Sequence, residues 1–408
     1  MLPRFSLYGF LKNLRFFDPF IILIFREAGL SYLQIGILYS IRDIASNLLE
    51  IPAGVFADAF GRRKSMLMAF GAYIISFGIF YAGRGFWIYA LAMILFAFGE
   101  AFRSGTHKAL ILEHLAMENM EHLKVEYYGR TRSFSQLGSA VNALIAAGLV
   151  FITGDYRTMF LAAAVPYTLD FLNLSTYPKE LDGEPADRFS GSIRLQIRET
   201  MQDFWKMFTD THALRAILNS SGISGLYKSS KDYLQPILEG FALTIPLFLS
   251  MEDKRRSALV VGLVYFVIYL FTTYASRGAA GFSRKFRSLG QAINLTFAAG
   301  AGLLLLAGIA VQQDATWLGI ICFLLFYALY NVRKPMNVSF ISDQISQRVM
   351  ASGMSVEAQF TTIQAALFAL ILGALADQFG IGIALMVLAG GVFSLIFIVR
   401  VEEKHAPE

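Results

Sequence analysis

The feature that most constrains this chain is a succession of about twelve apolar runs, each near the ~20 residues an α-helix needs to cross a bilayer core. In the first half they cover 5–26, 32–57, 64–83, 86–112, 133–153 and 157–177. In the second they cover 213–238, 257–276, 288–311, 315–342, 354–376 and 379–400. Lipid supplies no water to a free backbone N–H or C=O, so such runs must close their own hydrogen bonds as helices. Composition agrees, because 56% of the 408 residues are hydrophobic and only 16% are charged, too little polar surface for a soluble protein of this size. The expected fold class is an all-α polytopic membrane protein with about twelve transmembrane helices in two pseudo-symmetric six-helix bundles. The expected divisions are 1–177 and 212–408, with a cytoplasmic linker over 178–211.

Orientation follows from the turn after the second span, Gly54-Val-Phe-Ala-Asp58-Ala-Phe-Gly61-Arg62-Arg63-Lys64. Basic residues at the ends of spanning helices are retained on the cytoplasmic side, so this turn, both termini and the 178–211 segment are expected inside. Arg277, Arg284, Lys285 and Arg287 then also fall inside, whereas Lys254, Arg255 and Arg256 fall outside beside Glu252 and Asp253 and depart from the rule. Within the linker, Ile193, Ile197, Met201, Phe204, Trp205 and Phe208 recur at helical spacing, with Arg194, Arg198 and Lys206 on other faces. That pattern predicts an amphipathic helix lying on the inner membrane surface.

Several function classes are disfavoured. The net charge of +5 comes from basic residues in short loops, where membrane topology accounts for them, so no nucleic-acid partner is expected. The five histidines, His107, His114, His122, His212 and His405, show no metal-ligand spacing, and the single Cys322 permits no intramolecular disulfide. With no nucleophile motif such as Gly-x-Ser-x-Gly, neither enzymatic chemistry nor a cofactor is expected.

Two echoes relate the halves. Lys12 and Arg15 in the first span match Lys228 and Lys231 in the seventh, and Arg103 and Glu113 in the fourth match Arg333 and Asp343 in the tenth. These spans also carry the ionisable residues, each of which costs about 2.5–3.5 kcal/mol at mid-membrane on the insertion scale. Lys12, Arg15 and Asp18 fall in the first span, Arg42, Asp43 and Glu50 in the second, and Glu100, Arg103, His107 and Lys108 in the fourth. Lys228, Lys231 and Asp232 fall in the seventh, and Arg333 and Lys334 in the tenth. Residues so costly must pair or line a shared watery cavity. Arg15 and Asp18, and Glu100 and Arg103, stand one turn apart, as ion pairs along a helix do. The first half is nearly neutral, whereas in the second Lys228, Lys231, Arg333 and Lys334 face only Asp232 and Glu357. The surplus points to an anionic small-molecule substrate, with Lys12, Arg15, Arg42, Arg103, Lys228, Lys231 and Arg333 as candidate binding residues. Asp18, Asp43, Glu50 and Glu100 are the candidates for proton coupling.

The spacing Gly54-x-x-x-Asp58-x-x-Gly61-Arg62-Arg63 resembles the signature loop of the major facilitator superfamily of secondary transporters, with Ala59 where that family usually carries Arg or Lys. The resemblance implies alternating access about two six-helix halves, a central cavity lined by spans 1, 4, 7 and 10, and an inner-side gating role for Gly54, Asp58, Gly61, Arg62 and Arg63. Many drug/proton antiporters of the superfamily carry a Gly-Pro pair in the fifth span, and the run Gly138 to Val150 has no proline. The expected function is movement of a small organic or inorganic anion coupled to protons or a counter-anion, in a bacterial inner membrane. Proton-driven export of amphipathic drugs or lipids is the alternative, and a transporter-like sensor or receptor the third reading.

Overall fold

The computed structural model describes residues 1–182, 211–246, 250–344 and 350–401. Among them every regular element is helical. The first half contains α1 (Leu2–Leu11), α2 (Ile21–Glu27), α3 (Tyr32–Phe60), α4 (Arg62–Ala82), α5 (Phe86–Arg103), α6 (Thr106–Met117), α7 (Lys124–Thr153) and α8 (Thr158–Ser175). The second contains α9 (Thr211–Ser230), α10 (Leu234–Thr244), α11 (Asp253–Arg277), α12 (Ala279–Ser283), α13 (Leu289–Gln312) and α14 (Thr316–Gln344). It closes with α15 (Met350–Phe379), α16 (Ile381–Ser394) and α17 (Ile396–Val399). All twelve expected spans are occupied by helix, and eight are long and apolar enough by themselves to cross a membrane. The amphipathic helix expected over Ile193–Phe208 lies outside the described residues.

Four spans are interrupted where the sequence suggested continuous helices, the twelfth only at Leu395 between α16 and α17. The first breaks over Lys12–Phe17 between α1 and a 3₁₀ turn at Asp18–Phe20, and the seventh breaks at the 3₁₀ turn Lys231–Tyr233 between α9 and α10. Pro19 and Pro236 follow these breaks, and a proline donates no N–H and disfavours helical backbone in the residue before it. The fourth span breaks at Ser104 and Gly105, where Gly105 adopts φ +72° and serves a turn. The charged residues of the first, fourth and seventh spans therefore sit at or beside helix ends, whereas Arg42 and Asp43 stay inside α3 and Arg333 and Lys334 inside α14.

The helices form two compact units. Unit 1 comprises Met1–Leu30, Ile41–Ile197 and Pro246–Tyr269, and unit 2 comprises Ser31–Ser40, Arg198–Ile245 and Leu270–Glu408. In unit 1, α1 packs on α7, and α4 packs on α5 and α8. In unit 2, α9 packs on α15, and α13 packs on α14 and α16. These pairs are spans 1·5, 3·4 and 3·6 against 7·11, 9·10 and 9·12, the same plan twice. Small residues permit the tight pairs, since a Cβ on Gly138 of α7 would stand 2.5 Å from the Phe10 carbonyl oxygen of α1. A Cβ on Gly54, by contrast, would meet open space.

Candidate functional site

Each unit carries one polar cluster beside its broken helix. In unit 1, the break leaves the Lys12 carbonyl without an intrahelical donor, and the Tyr167 hydroxyl donates to it at 3.0 Å. The same hydroxyl accepts from Nε of Arg15 at 2.6 Å. Arg15 makes its ion pair with Glu100 of α5, while the Asp18 N–H donates to the Arg15 carbonyl at 2.9 Å in the turn that follows. Arg103 binds the other oxygen of Glu100 at 2.8 Å, as its spacing suggested. The Tyr73 hydroxyl donates to Glu100 at 2.6 Å and accepts from Nε of Arg103 at 3.0 Å. Lys12 places its ammonium 5.3 Å from the centre of the Tyr8 ring, a ring stacked on His107 with centroids 3.7 Å apart. Two guanidiniums thus share one carboxylate, with aromatic rings about them, since Arg15 also lies over Phe96 at 5.1 Å.

The remaining candidates of the first half include Asp18, whose charge acts on Arg15. Arg42 pairs with its neighbour Asp43 at 3.0 Å, with the Asp43 side chain buried. Glu50 is exposed on α3, and Asp18 is half-buried at the start of the 3₁₀ turn. The side chain of Asp58 lies outside the described residues. Gly61 takes φ +105°, and a Cβ there would stand 2.5 Å from Cγ of Asp182. Asp182 accepts the Arg63 N–H at 2.7 Å and so caps α4. The Arg63 guanidinium donates to the Leu174 and Ser175 carbonyls at the end of α8, the latter at 2.5 Å, while Arg62 pairs with Glu113 of α6 at 2.9 Å. A cation on the last carbonyls of a helix complements its dipole. Gly61→Ala should therefore cost about 1–3 kcal/mol, read as a lower melting temperature of the purified protein, whereas Lys64→Ala, an exposed position, should leave it unchanged.

In unit 2, Lys231 binds Asp232 at 2.6 Å, and Asp232 also accepts the Tyr39 hydroxyl at 3.3 Å. The Tyr327 hydroxyl donates to the Lys231 carbonyl at 3.0 Å, so a tyrosine satisfies the backbone at this break as Tyr167 does at the other. Arg333 departs from its expected role. It is 1% exposed and donates to the Ile293 carbonyl, the Asn219 side chain and the Thr296 hydroxyl. With Phe297 under it at 5.7 Å, this guanidinium ties α9, α13 and α14 together and is enclosed by them in this structure. Its sequence counterpart Arg103 sits in the ion-pair network, so the echo between the halves does not carry a shared role.

The open site of unit 2 is a cavity of about 340 Å³ lined by Lys228, Lys334, Glu357 and Tyr330 together with Ser220, Ser224, Asn337, Thr361 and Thr362. Glu357 accepts from Ser220 at 2.9 Å and Thr361 at 3.2 Å, and the Asn337 amide donates to Ser220 at 3.0 Å. Tyr330 stacks on Tyr227 with centroids 3.8 Å apart, which holds one aromatic wall rigid. The lining carries two ammoniums and one carboxylate among hydroxyls and an amide. Of these residues, sequence reasoning selected Lys228 as a binding residue and counted Lys334 and Glu357 only as charges. Glu357, a carboxylate in an apolar span, was the signal available for α15, whereas the hydroxyls of Ser220 and Thr361 look like ordinary helix residues.

Residues 7–360 match the family model of the Major Facilitator Superfamily. A curated relative from Bacillus subtilis (strain 168), the uncharacterized MFS-type transporter YxaM, is 22% identical over 383 residues, 94% of this chain and 90% of its own. Among solved structures, nucleoside transporter NupG is similar with TM-score 0.77 and 15% identity, covering 98% of both chains. A D-xylose-proton symporter is similar with TM-score 0.73 and 15% identity, covering 98% of this chain and 97% of its own. A POT family transporter in complex with 5-aminolevulinic acid is similar with TM-score 0.73 and 14% identity, covering 98% of this chain and 95% of its own.

Proposed function

The chain belongs to the Major Facilitator Superfamily and is a multi-pass membrane transporter of small molecules, and on that premise we propose that its cargo is a small organic or inorganic anion. The observation that carries this reading is the unit 2 cavity, where Lys228, Lys334 and Glu357 share one polar lining among the described residues. Two ammoniums on one lining suit an anionic ligand that also takes hydrogen bonds from the surrounding hydroxyls. Transport proceeds by alternating access between the halves 1–177 and 212–408, in an inner membrane with both termini on the cytoplasmic side. Lys12 and Arg15 of the first half contribute to the anion's path, and coupling runs through protons or a counter-anion. Asp18, Asp43, Glu50 and Glu100 are the proton-coupling candidates, to which the cavity adds Glu357.

A neutral, hydroxyl-rich cargo is the second reading, favoured by the six hydroxyl and amide side chains that share the lining. A thermal-shift panel separates the two, because a ligand that binds the native state raises its melting temperature, by about 2.7 kcal/mol of stability at a hundredfold excess over Kd. Carboxylates, phosphates and sulfate are tested beside neutral sugars and nucleosides. At least one anion is expected to stabilise the purified protein, with an effect that grows with its concentration. Stabilisation by neutral compounds alone would overturn the anion reading.

A further inference from the structure

The spacing that ends α3 occurs a second time. Gly373-Ala-Leu-Ala-Asp377-Gln-Phe-Gly380 at the end of α15 repeats Gly54-Val-Phe-Ala-Asp58-Ala-Phe-Gly61 with the same Gly, Ala, Asp, Phe and Gly positions. Each octet closes a long helix, and each final glycine turns the chain into the next, Gly380 with φ +84° and Gly61 with φ +105°. The second copy is engaged. Both carboxylate oxygens of Asp377 accept backbone N–H groups at the start of α3, Oδ1 from Tyr32 at 2.8 Å and Oδ2 from Leu33 at 2.8 Å.

The rest of that helix terminus is built around this grip. The Ser31 hydroxyl accepts the Gln34 N–H at 3.2 Å while the Gln34 side chain accepts the Ser31 N–H at 2.9 Å, a reciprocal capping box. Asp377 takes the two N–H groups that this box leaves over, and its charge meets the positive end of the helix dipole. Glycines bring the two backbones together: a Cβ on Gly373 would stand 2.5 Å from the Tyr32 carbonyl oxygen, and one on Gly36 would run into the Ala369 carbonyl. Ser40 adds a hydrogen bond to the Ala366 carbonyl at 2.8 Å. The first turns of α3, Ser31–Ser40, accordingly belong to unit 2, although Ile41 onward belongs to unit 1.

We propose that Asp377 is a gating residue, a latch that holds the end of α3 remote from Arg62–Lys64 and is released when that side of the transporter opens. The 29 residues of α3 place its two ends about 44 Å apart at 1.5 Å per residue, so the two octets act on opposite faces. The proposal rests on the alternating-access reading, and predicts that the octets oppose each other: loss of one favours opening of its own face. A cap made of backbone N–H groups and one carboxylate is suited to a contact that must break each cycle, because both partners are well hydrated when apart.

The test uses spin labels at Arg84 and Asp314, one in each unit and both in turns on the Gly380 side by the alternation of the spans, in a Cys322→Ala background. Asp377→Ala is expected to raise the ratio of long to short distances about tenfold, in line with the loss of an N-terminal cap. Asp377→Asn, which keeps one acceptor but no charge, should fall between. Gly373→Ala, which forces the helices apart without touching the carboxylate, should shift distances in the same direction, and Asp58→Asn in the opposite one. Unchanged distances in folded Asp377→Ala and Gly373→Ala proteins would overturn the latch, and failure of both to fold would make the contact a fold determinant and overturn it equally. Flux measured in parallel separates the premises: distances that stay fixed while cargo still moves remove the latch alone, and distances that shift in a wild-type protein that moves no cargo remove the transport reading.

Discussion

Lys228→Gln is expected to lower affinity for the transported anion by one to two orders of magnitude while leaving the fold intact. A hydrogen bond to a charged group is worth about 1.5–3 kcal/mol, and each 1.4 kcal/mol is tenfold in affinity. Lys228 reaches the unit 2 cavity from α9 and Lys334 reaches it from α14, so Lys334→Gln should act in the same direction and the double variant should abolish measurable binding. Lys231→Gln provides the contrast. Its ammonium is committed to Asp232, a carboxylate that is 9% exposed, and removing it leaves a buried charge short of its partner. That variant should lose expression and melting temperature before it loses affinity. Titration of an anion found by thermal shift, followed in the four proteins, decides the matter: wild-type affinity in folded Lys228→Gln and Lys334→Gln would place the anion elsewhere.

The second large effect is expected at Glu100. Its two oxygens hold Arg15 and Arg103 and accept the Tyr73 hydroxyl, so Glu100→Gln strands two guanidiniums that are 21% and 19% exposed. Breaking one buried pair by removing a partner costs about 3–5 kcal/mol, and here one substitution breaks two. A fall in melting temperature and a loss of monodisperse protein are expected. Arg15→Gln or Arg103→Gln, which leave Glu100 one cation, should each cost less than Glu100→Gln. A role for Glu100 confined to carrying protons predicts the reverse, a Glu100→Gln protein of normal stability that binds cargo but no longer couples its movement to a pH gradient.

Much of the architecture was readable before any coordinates. Apolar runs of spanning length force helices because a backbone in lipid must satisfy itself, and that requirement depends on local sequence alone. The octet at 54–61 and the basic residues after it named the family for the same reason, since a turn with its glycine is a local object. Costly charges in apolar segments likewise marked spans 1, 4, 7 and 10 as polar ones, and Lys228 of the seventh span and Lys334 of the tenth line one cavity.

The partner of each charge was another matter. One-turn spacing pairs Arg15 with Asp18, whereas α1 stops at Leu11 and the guanidinium also meets Glu100 of α5, 85 residues on. Arg333 appeared to be a binding residue, and the packing of α9, α13 and α14 encloses it among carbonyls, Asn219 and Thr296. Asp377 drew no attention at the end of its span, although it caps a helix 344 residues earlier in the chain. Sequence by itself determined which segments cross the membrane, where they turn and which residues are too costly to face lipid, because hydrophobic transfer and backbone satisfaction are sums over neighbouring residues. Tertiary structure alone decided which charge meets which acceptor, because a hydrogen bond or ion pair requires atoms within about 3–4 Å, and that distance is set by how separate helices pack.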